Sequence, residues 1–330
     1  MFAGERIAAS RGHSNPGGPI IRNSIYNGKY FKNSASQGIE LQTNNDPQTF
    51  QIDALLARLY NLVPRPATPR KCHPETRVQY LRFMHDRIAQ AEGARENLVI
   101  CLVGEAGVGK SAIMQSLAER LFSAGKGVGC FFVSKLDPNL NTLERLVPTL
   151  AAQLIYAIPE TRDCVLSMIA KYPGIFEQPL EWQLKALVVE PLIRLPRDRP
   201  QQQFIVLIDG LDECINQNEQ LELLRILNIF ISQYRNFPVA FVIASRPEDH
   251  IRTALDRFQV PPTVLELDDC PENLFAHDIR TYLRDNFRHI NETHQYRHLL
   301  PENWPVPSDI DEIVAKADGL FIYATVVVNF

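Results

Sequence analysis

Three short runs of unbroken apolar residues stand out along the chain: Leu98-Val99-Ile100-Cys101-Leu102-Val103, Phe204-Ile205-Val206-Leu207-Ile208 and Val239-Ala240-Phe241-Val242-Ile243-Ala244. Runs of this length with no alternation of polar residues are predicted strands covered on both faces. Strands are expected near 97–103, 128–134, 203–209, 238–245 and 262–267, with helical spacing between them. That alternation predicts an α/β fold, a five-stranded and mostly parallel sheet flanked by helices. Between the second and third strands a long helical insertion, Thr142 to Leu195, carries Leu143, Leu146, Leu150 and Leu154 on one stripe, read as core. After Pro271, helices over Glu272 to Phe287, Asp309 to Ala317 and Phe321 onward predict a C-terminal helical subdomain.

The polar punctuation divides the chain. Residues 1–50 are rich in Gly, Asn, Ser and Gln and are broken by Pro16-Gly17-Gly18-Pro19, which predicts a flexible N-terminal arm. Its stretch Ile20 to Ile39 mixes aromatic and β-branched residues with Asn, so pairing of strands between chains is the alternative to disorder. Residues 51–70 read as a short helix, Ile52 to Leu62, followed by the linker Val63 to Arg70, whose prolines cannot continue a helix. A nucleotide-binding domain is then expected over 71–270. The helical subdomain over 271–330 is expected to be truncated, because the chain stops within the apolar helix Thr325 to Phe330.

Chemistry enters directly after the first apolar run. Gly104-Glu105-Ala106-Gly107-Val108-Gly109-Lys110-Ser111 is a phosphate-binding loop placed between a strand and a helix. Its glycines let backbone N–H groups curl around phosphate oxygens, Lys110 reaches the β and γ phosphates, and the Ser111 hydroxyl serves Mg²⁺. Ser111 also opens the helix Ala112 to Phe122, whose N-terminal dipole favours an anion. At the end of the second run, Asp209 is the carboxylate expected to hold the metal. Asp212 and Glu213 follow and could polarise the attacking water; the sequence does not separate them, and capping the helix near Glu219 is their alternative use. Ser245 and Arg246 end the third run, at the side of an open sheet where ligands gather, and Arg246 is a candidate γ-phosphate sensor.

Taken together, the loop, Ile208-Asp209-Gly210-Leu211-Asp212-Glu213 and Ala244-Ser245-Arg246-Pro247 resemble a NACHT-type NTPase of the STAND class. The nephrocystin-like N-terminal domain found in many fungal proteins is similar too in Lys71-Cys72-His73-Pro74-Glu75-Thr76-Arg77 and Ala317-Asp318-Gly319-Leu320-Phe321-Ile322-Tyr323-Ala324. The resemblance implies ATP or ADP with Mg²⁺ as ligands, slow hydrolysis and an NLR-like signalling switch that self-associates; effector contact through the N-terminal arm is the partner expected from the composition of Ile20 to Ile39. It also implies a winged-helix module and a repeat sensor downstream, which should begin where this chain stops at Phe330, and a base-contacting proline where this chain has Gly319-Leu320-Phe321. Phe321 is read as core rather than as a base-stacking ring. A non-hydrolysing scaffold or a relic of a larger NLR-like protein is the alternative function.

Composition narrows the remaining classes. With 330 residues, 45% hydrophobic and 22% charged, and a net charge of −4, the chain has no basic run to suit nucleic acid or an anionic membrane. Cysteines 72, 101, 130, 164, 214 and 270 form no CxxC pair, so neither disulfides nor zinc are expected; Cys72 and His73 read as turn and packing residues. The start lacks a secretory pattern and no run is long enough to span a bilayer, so a cytoplasmic location is expected. A guanine-reading Asn-Lys-x-Asp run is missing, which favours adenine, and no acceptor domain suggests a metabolite kinase.

Overall fold

The computed structural model describes residues 47–64, 71–196, 203–234, 239–267, 272–301 and 303–329, all within the unit Asn44–Phe330. Nearly all of the expected N-terminal arm lies outside these residues, as does most of the proline-rich linker and Cys270. Five strands, β1 (Val99–Val103), β2 (Val128–Phe132), β3 (Phe204–Asp209), β4 (Val239–Ser245) and β5 (Thr263–Glu266), form one parallel sheet in the order β2-β3-β4-β1-β5. Every residue of β1, β3 and β4 is buried, which is why those strands are apolar up to the terminal Asp209 of β3 and Ser245 of β4. Edge strand β5 is only half covered, and its run is correspondingly more polar.

Helices α1 (Pro47–Asn61), α2 (Val78–Ala94) and α3 (Lys110–Ser123) precede β2; α4 (Leu146–Ala157) and α5 (Arg162–Lys171) follow it. The insertion continues as α6 (Leu180–Leu184), which passes through a π-helical turn, Lys185–Val189, into Glu190–Ile193. Its leucine stripe is core: Leu143, Leu146, Leu150 and Leu154 are all buried, together with Leu59 of α1, in the cluster beneath the sheet. Helices α7 (Gln217–Gln233) and α8 (Asp249–Asp256) complete the wrapping of the sheet.

Some boundaries differ from expectation for local reasons. Helix α3 begins at Lys110, one residue before Ser111, because Gly109 takes a left-handed conformation and turns the chain into it. Helix α7 is capped by Asn216, whose side chain accepts from the Asn218 N–H at 3.1 Å, so Asp212 and Glu213 are not its caps. Those two acids instead lie in a separate short 3₁₀ turn, Leu211–Glu213.

A second, smaller core forms at the C-terminal end from α9 (Glu272–Thr293), α10 (Pro307–Ala317) and α11 (Phe321–Asn329). Ile279, Leu283, Phe287, Ile310, Val314, Ala317 and Ala324 are its buried residues. Helix α9 runs past the expected Phe287, and Phe287 closes the cluster against Trp304 with the rings edge to face at 5.3 Å. None of the described helices is long and apolar enough to cross a membrane.

Candidate functional site

The strand order puts β4 between β1 and β3, so the segments leaving these three strands emerge side by side at one end of the sheet. Val103 is in register with Ser245, and the Gly104 N–H donates to the Ser245 carbonyl at 3.3 Å. The phosphate loop, the Asp209 turn and Arg246 therefore surround one cleft of about 600 Å³. The fold brings Ala106, Gly107, Gly109, Lys110, Ser111, Asp209, Asp212, Glu213 and Arg246 to its wall. Gly104, Glu105, Val108 and Ser245 are not on the wall; Val108 is buried behind the loop and Ser245 beneath it.

Backbone conformation explains the loop's glycines. Gly107 and Gly109 have φ of +85° and +101°, which side-chain-bearing residues adopt only under strain. A Cβ on Gly107 would also fall 2.5 Å from Cγ2 of Ile322 in α11. Lys110 folds over the loop, its ammonium donating to the carbonyls of Gly104 at 2.5 Å and Glu105 at 2.9 Å.

Asp209 is 5% exposed, and burial pushes its carboxyl up to about 6, opposed by the Ser111 hydroxyl that donates to it and by the Lys110 charge. Its Oδ1 and the buried Ser245 hydroxyl have no hydrogen-bond partner among the described residues. Orphaned buried polar atoms cost stability unless a ligand completes them. A hard cation fits this donor set, a carboxylate beside a hydroxyl at the mouth of an N–H-rich loop.

The two neighbouring acids, indistinguishable in sequence, have different surroundings. Asp212 accepts from the Arg246 backbone N–H at 3.0 Å and pairs with Arg246 Nε at 3.1 Å, so it is committed to holding that arginine. Glu213 accepts from the Lys135 N–H at 3.3 Å and otherwise faces the cleft. The far end of the cleft is lined by the Lys71 to His73 turn, Tyr282, Phe321 and the outer face of α11. Phe321 packs on the C-terminal core yet also borders this space, so it serves both surfaces.

Sequence reasoning gave no role to the residue that joins these parts, present there only as the end of the Lys71 to Arg77 motif. Arg77 is 2% exposed; its Nη2 donates to the Val108 carbonyl of the loop at 2.7 Å, and its backbone N–H donates to Asp278 of α9 at 3.0 Å. Its guanidinium lies 4.1 Å from the Phe275 ring and 4.9 Å from the Phe321 ring. The available signal was Asp278 itself, a lone acid on the apolar stripe Phe275, Ile279, Tyr282, Leu283, where a charge requires a buried partner.

Residues 83–246 match the family model of the nephrocystin 3 N-terminal region. The match contains the loop and Asp209 and ends on Arg246, while Arg77 and the C-terminal helices lie outside it. No curated protein sequence matches the chain. Among solved structures, Drosophila ORC bound to DNA is similar at 12% identity over 83% of this chain and 57% of that one, with a TM-score of 0.43. Domain III of the Thermotoga maritima replication initiation protein DnaA is similar at 13% identity over 75% of this chain and 81% of that one, TM-score 0.37. For C. elegans PCH-2 the values are 14%, 76%, 62% and 0.37.

Proposed function

Starting from a NACHT-type P-loop NTPase segment of the nephrocystin-like kind, which is what residues 83–246 are, we propose that this chain is an ATP/ADP-binding signalling switch of the STAND, NLR-like class. It hydrolyses ATP slowly and self-associates according to the nucleotide it holds. The observation that carries the reading is the orphaned buried Asp209 Oδ1 on the cleft wall, beside a loop whose glycines hold left-handed backbone.

In this reading the N–H groups of the loop and Lys110 bind the phosphates, and Ser111 with Asp209 holds Mg²⁺. The metal supplies charge neutralisation along the phosphates when bound. Glu213 is the group left to orient a water, since both Asp212 oxygens are engaged by Arg246. Asp212 holds Arg246 at the cleft wall, where its guanidinium reads the terminal phosphate. Lys71 to His73, Tyr282 and Phe321 surround the base, and adenine is preferred.

The test is light scattering on size-exclusion fractions, with bound nucleotide identified by chromatography, for wild type and Lys110→Ala after incubation with ADP or ATP·Mg²⁺. Adenine nucleotide on the wild type and a larger, Lys110-dependent species in ATP are expected. Nucleotide bound with no change in size would favour a passive scaffold, and no bound nucleotide would refute the reading.

A further inference from the structure

Two neighbouring carbonyls at the tip of the phosphate loop are held from outside by residues beyond the loop. The Ile322 N–H, in the first turn of α11, donates to the Gly107 carbonyl at 3.1 Å, and Arg77 Nη2 donates to the Val108 carbonyl at 2.7 Å. A peptide group is planar, with its N–H pointing opposite to its C=O. Fixing the Gly107 and Val108 carbonyls on these two donors therefore fixes the N–H groups of Val108 and Gly109 as well, each opposite to its held carbonyl. Consecutive N–H groups held in fixed directions are what a phosphate oxygen requires.

Both tethers lead to the C-terminal helices. Ile322 belongs to α11, and Arg77 is bound to α9 through Asp278 and covered by Phe275 of α9 and Phe321 of α11. The turn that presents Arg77 is itself fixed: Glu75 and Arg77 both take left-handed backbone, at φ 65° and 57°, while the Thr76 hydroxyl and N–H both donate to the His73 carbonyl. Two non-glycine residues in that region within three positions persist only where the surroundings impose it.

We propose that Arg77 and the first turn of α11 are positioning elements that preset the anion-binding N–H groups of the phosphate loop, so that seating of the C-terminal helices and assembly of the phosphate site are one event. By reciprocity, phosphate in the loop strengthens the seating of α9 and α11 by the same factor that their seating strengthens phosphate binding. The nucleotide half of this rests on the reading of the cleft given above; the coupling of loop and helices does not.

Hydrogen exchange of the full chain tests both halves with Asp278→Asn, which weakens the hold on Arg77 from α9, and Arg77→Lys, which removes the planar fork from the turn side. Without nucleotide, amides of 104–109 and 321–329 are expected to exchange at least tenfold faster in both variants, with β1, β3 and β4 unchanged. With ATP·Mg²⁺, the wild type is expected to slow exchange over 321–329, and the variants to bind at least tenfold more weakly and lose that response. Should one variant fail to fold, the other gives the same readout. Loop exchange that stays at the wild-type rate while α11 exchange rises would overturn the coupling. A wild type that shows the ligand-free coupling yet binds no ATP·Mg²⁺ would sink the nucleotide reading alone.

Discussion

The sheet core and the C-terminal helical core face the same cleft but are held together by different forces. In the sheet, β1, β3 and β4 are buried at every position, so displacement of any one strand would open cavities on both faces. The C-terminal core is small, and its last helix leaves Ile322 53% and Val326 46% exposed beside the loop. What fastens it to the loop is largely directional and polar: the Ile322 N–H on Gly107 and Arg77 Nη2 on Val108, beside the packing of the Ile322 side chain on Gly107. Water can replace hydrogen bonds at modest net cost, whereas it cannot replace apolar packing. On the proposed reading, the contrast gives one ligand site a rigid floor and a releasable roof.

The hardest test of this contrast is truncation on each side. Phe241→Ala is expected to remove about 3–5 kcal/mol of global stability in a denaturant titration. Leu283→Ala should instead speed hydrogen exchange within 272–293 while β1, β3 and β4 keep their protection; equal loss in the sheet would erase the distinction.

A second test uses acid. Burial holds the Asp209 carboxyl at about 6 against an ordinary 3.8, so the folded chain keeps this proton more tightly than the unfolded one. Stability through this group falls as pH rises from 3.8 to about 6, by ~3 kcal/mol, and stays lowered above that. Asp209→Asn should therefore raise Tm above neutral pH and leave it nearly unchanged at about pH 4; a pH-independent gain would assign the effect to something other than the buried charge.

The seam between the two halves gives a smaller effect. Gly107→Ala strains a left-handed position and presses on Ile322, at roughly 1–3 kcal/mol, and adding Ile322→Ala should recover part of that loss in a double-mutant cycle. Simple additivity would mean that loop and α11 do not touch in solution. Smallest of all, Asn216→Ala should cost about 1 kcal/mol through the cap of α7 and leave nucleotide affinity intact.

Strands buried on both faces must be apolar throughout, and for that reason the sheet was legible from Leu98, Phe204 and Val239 onward. The loop was legible because its glycines, Lys110 and Ser111 have local reasons to be adjacent. Strand order was not, because nothing in an apolar run says which neighbour it takes. The difference between Asp212 and Glu213 was hidden for a related reason: it depends on Arg246, brought across from another strand. Arg77 was visible only as the end of the Lys71 to Arg77 motif; its role was hidden because an arginine in sequence looks solvated, and only Asp278, Phe275 and Phe321 make it a buried one. The cap of α7 fell to Asn216 rather than to the acids offered as its alternative, because Asn216 directly precedes the helix and its side chain reaches the Asn218 N–H.

The position of β1 between β4 and β5 also bears on how the chain is made. During synthesis β1 leaves the ribosome before either of its neighbours, the first ending at Ser245 and the second at Glu266. Until those segments emerge, Val99 to Val103 is an apolar strand with both edges open, the kind of surface that aggregates or recruits a chaperone. The phosphate loop, sprung from that strand, is encoded early but takes shape late.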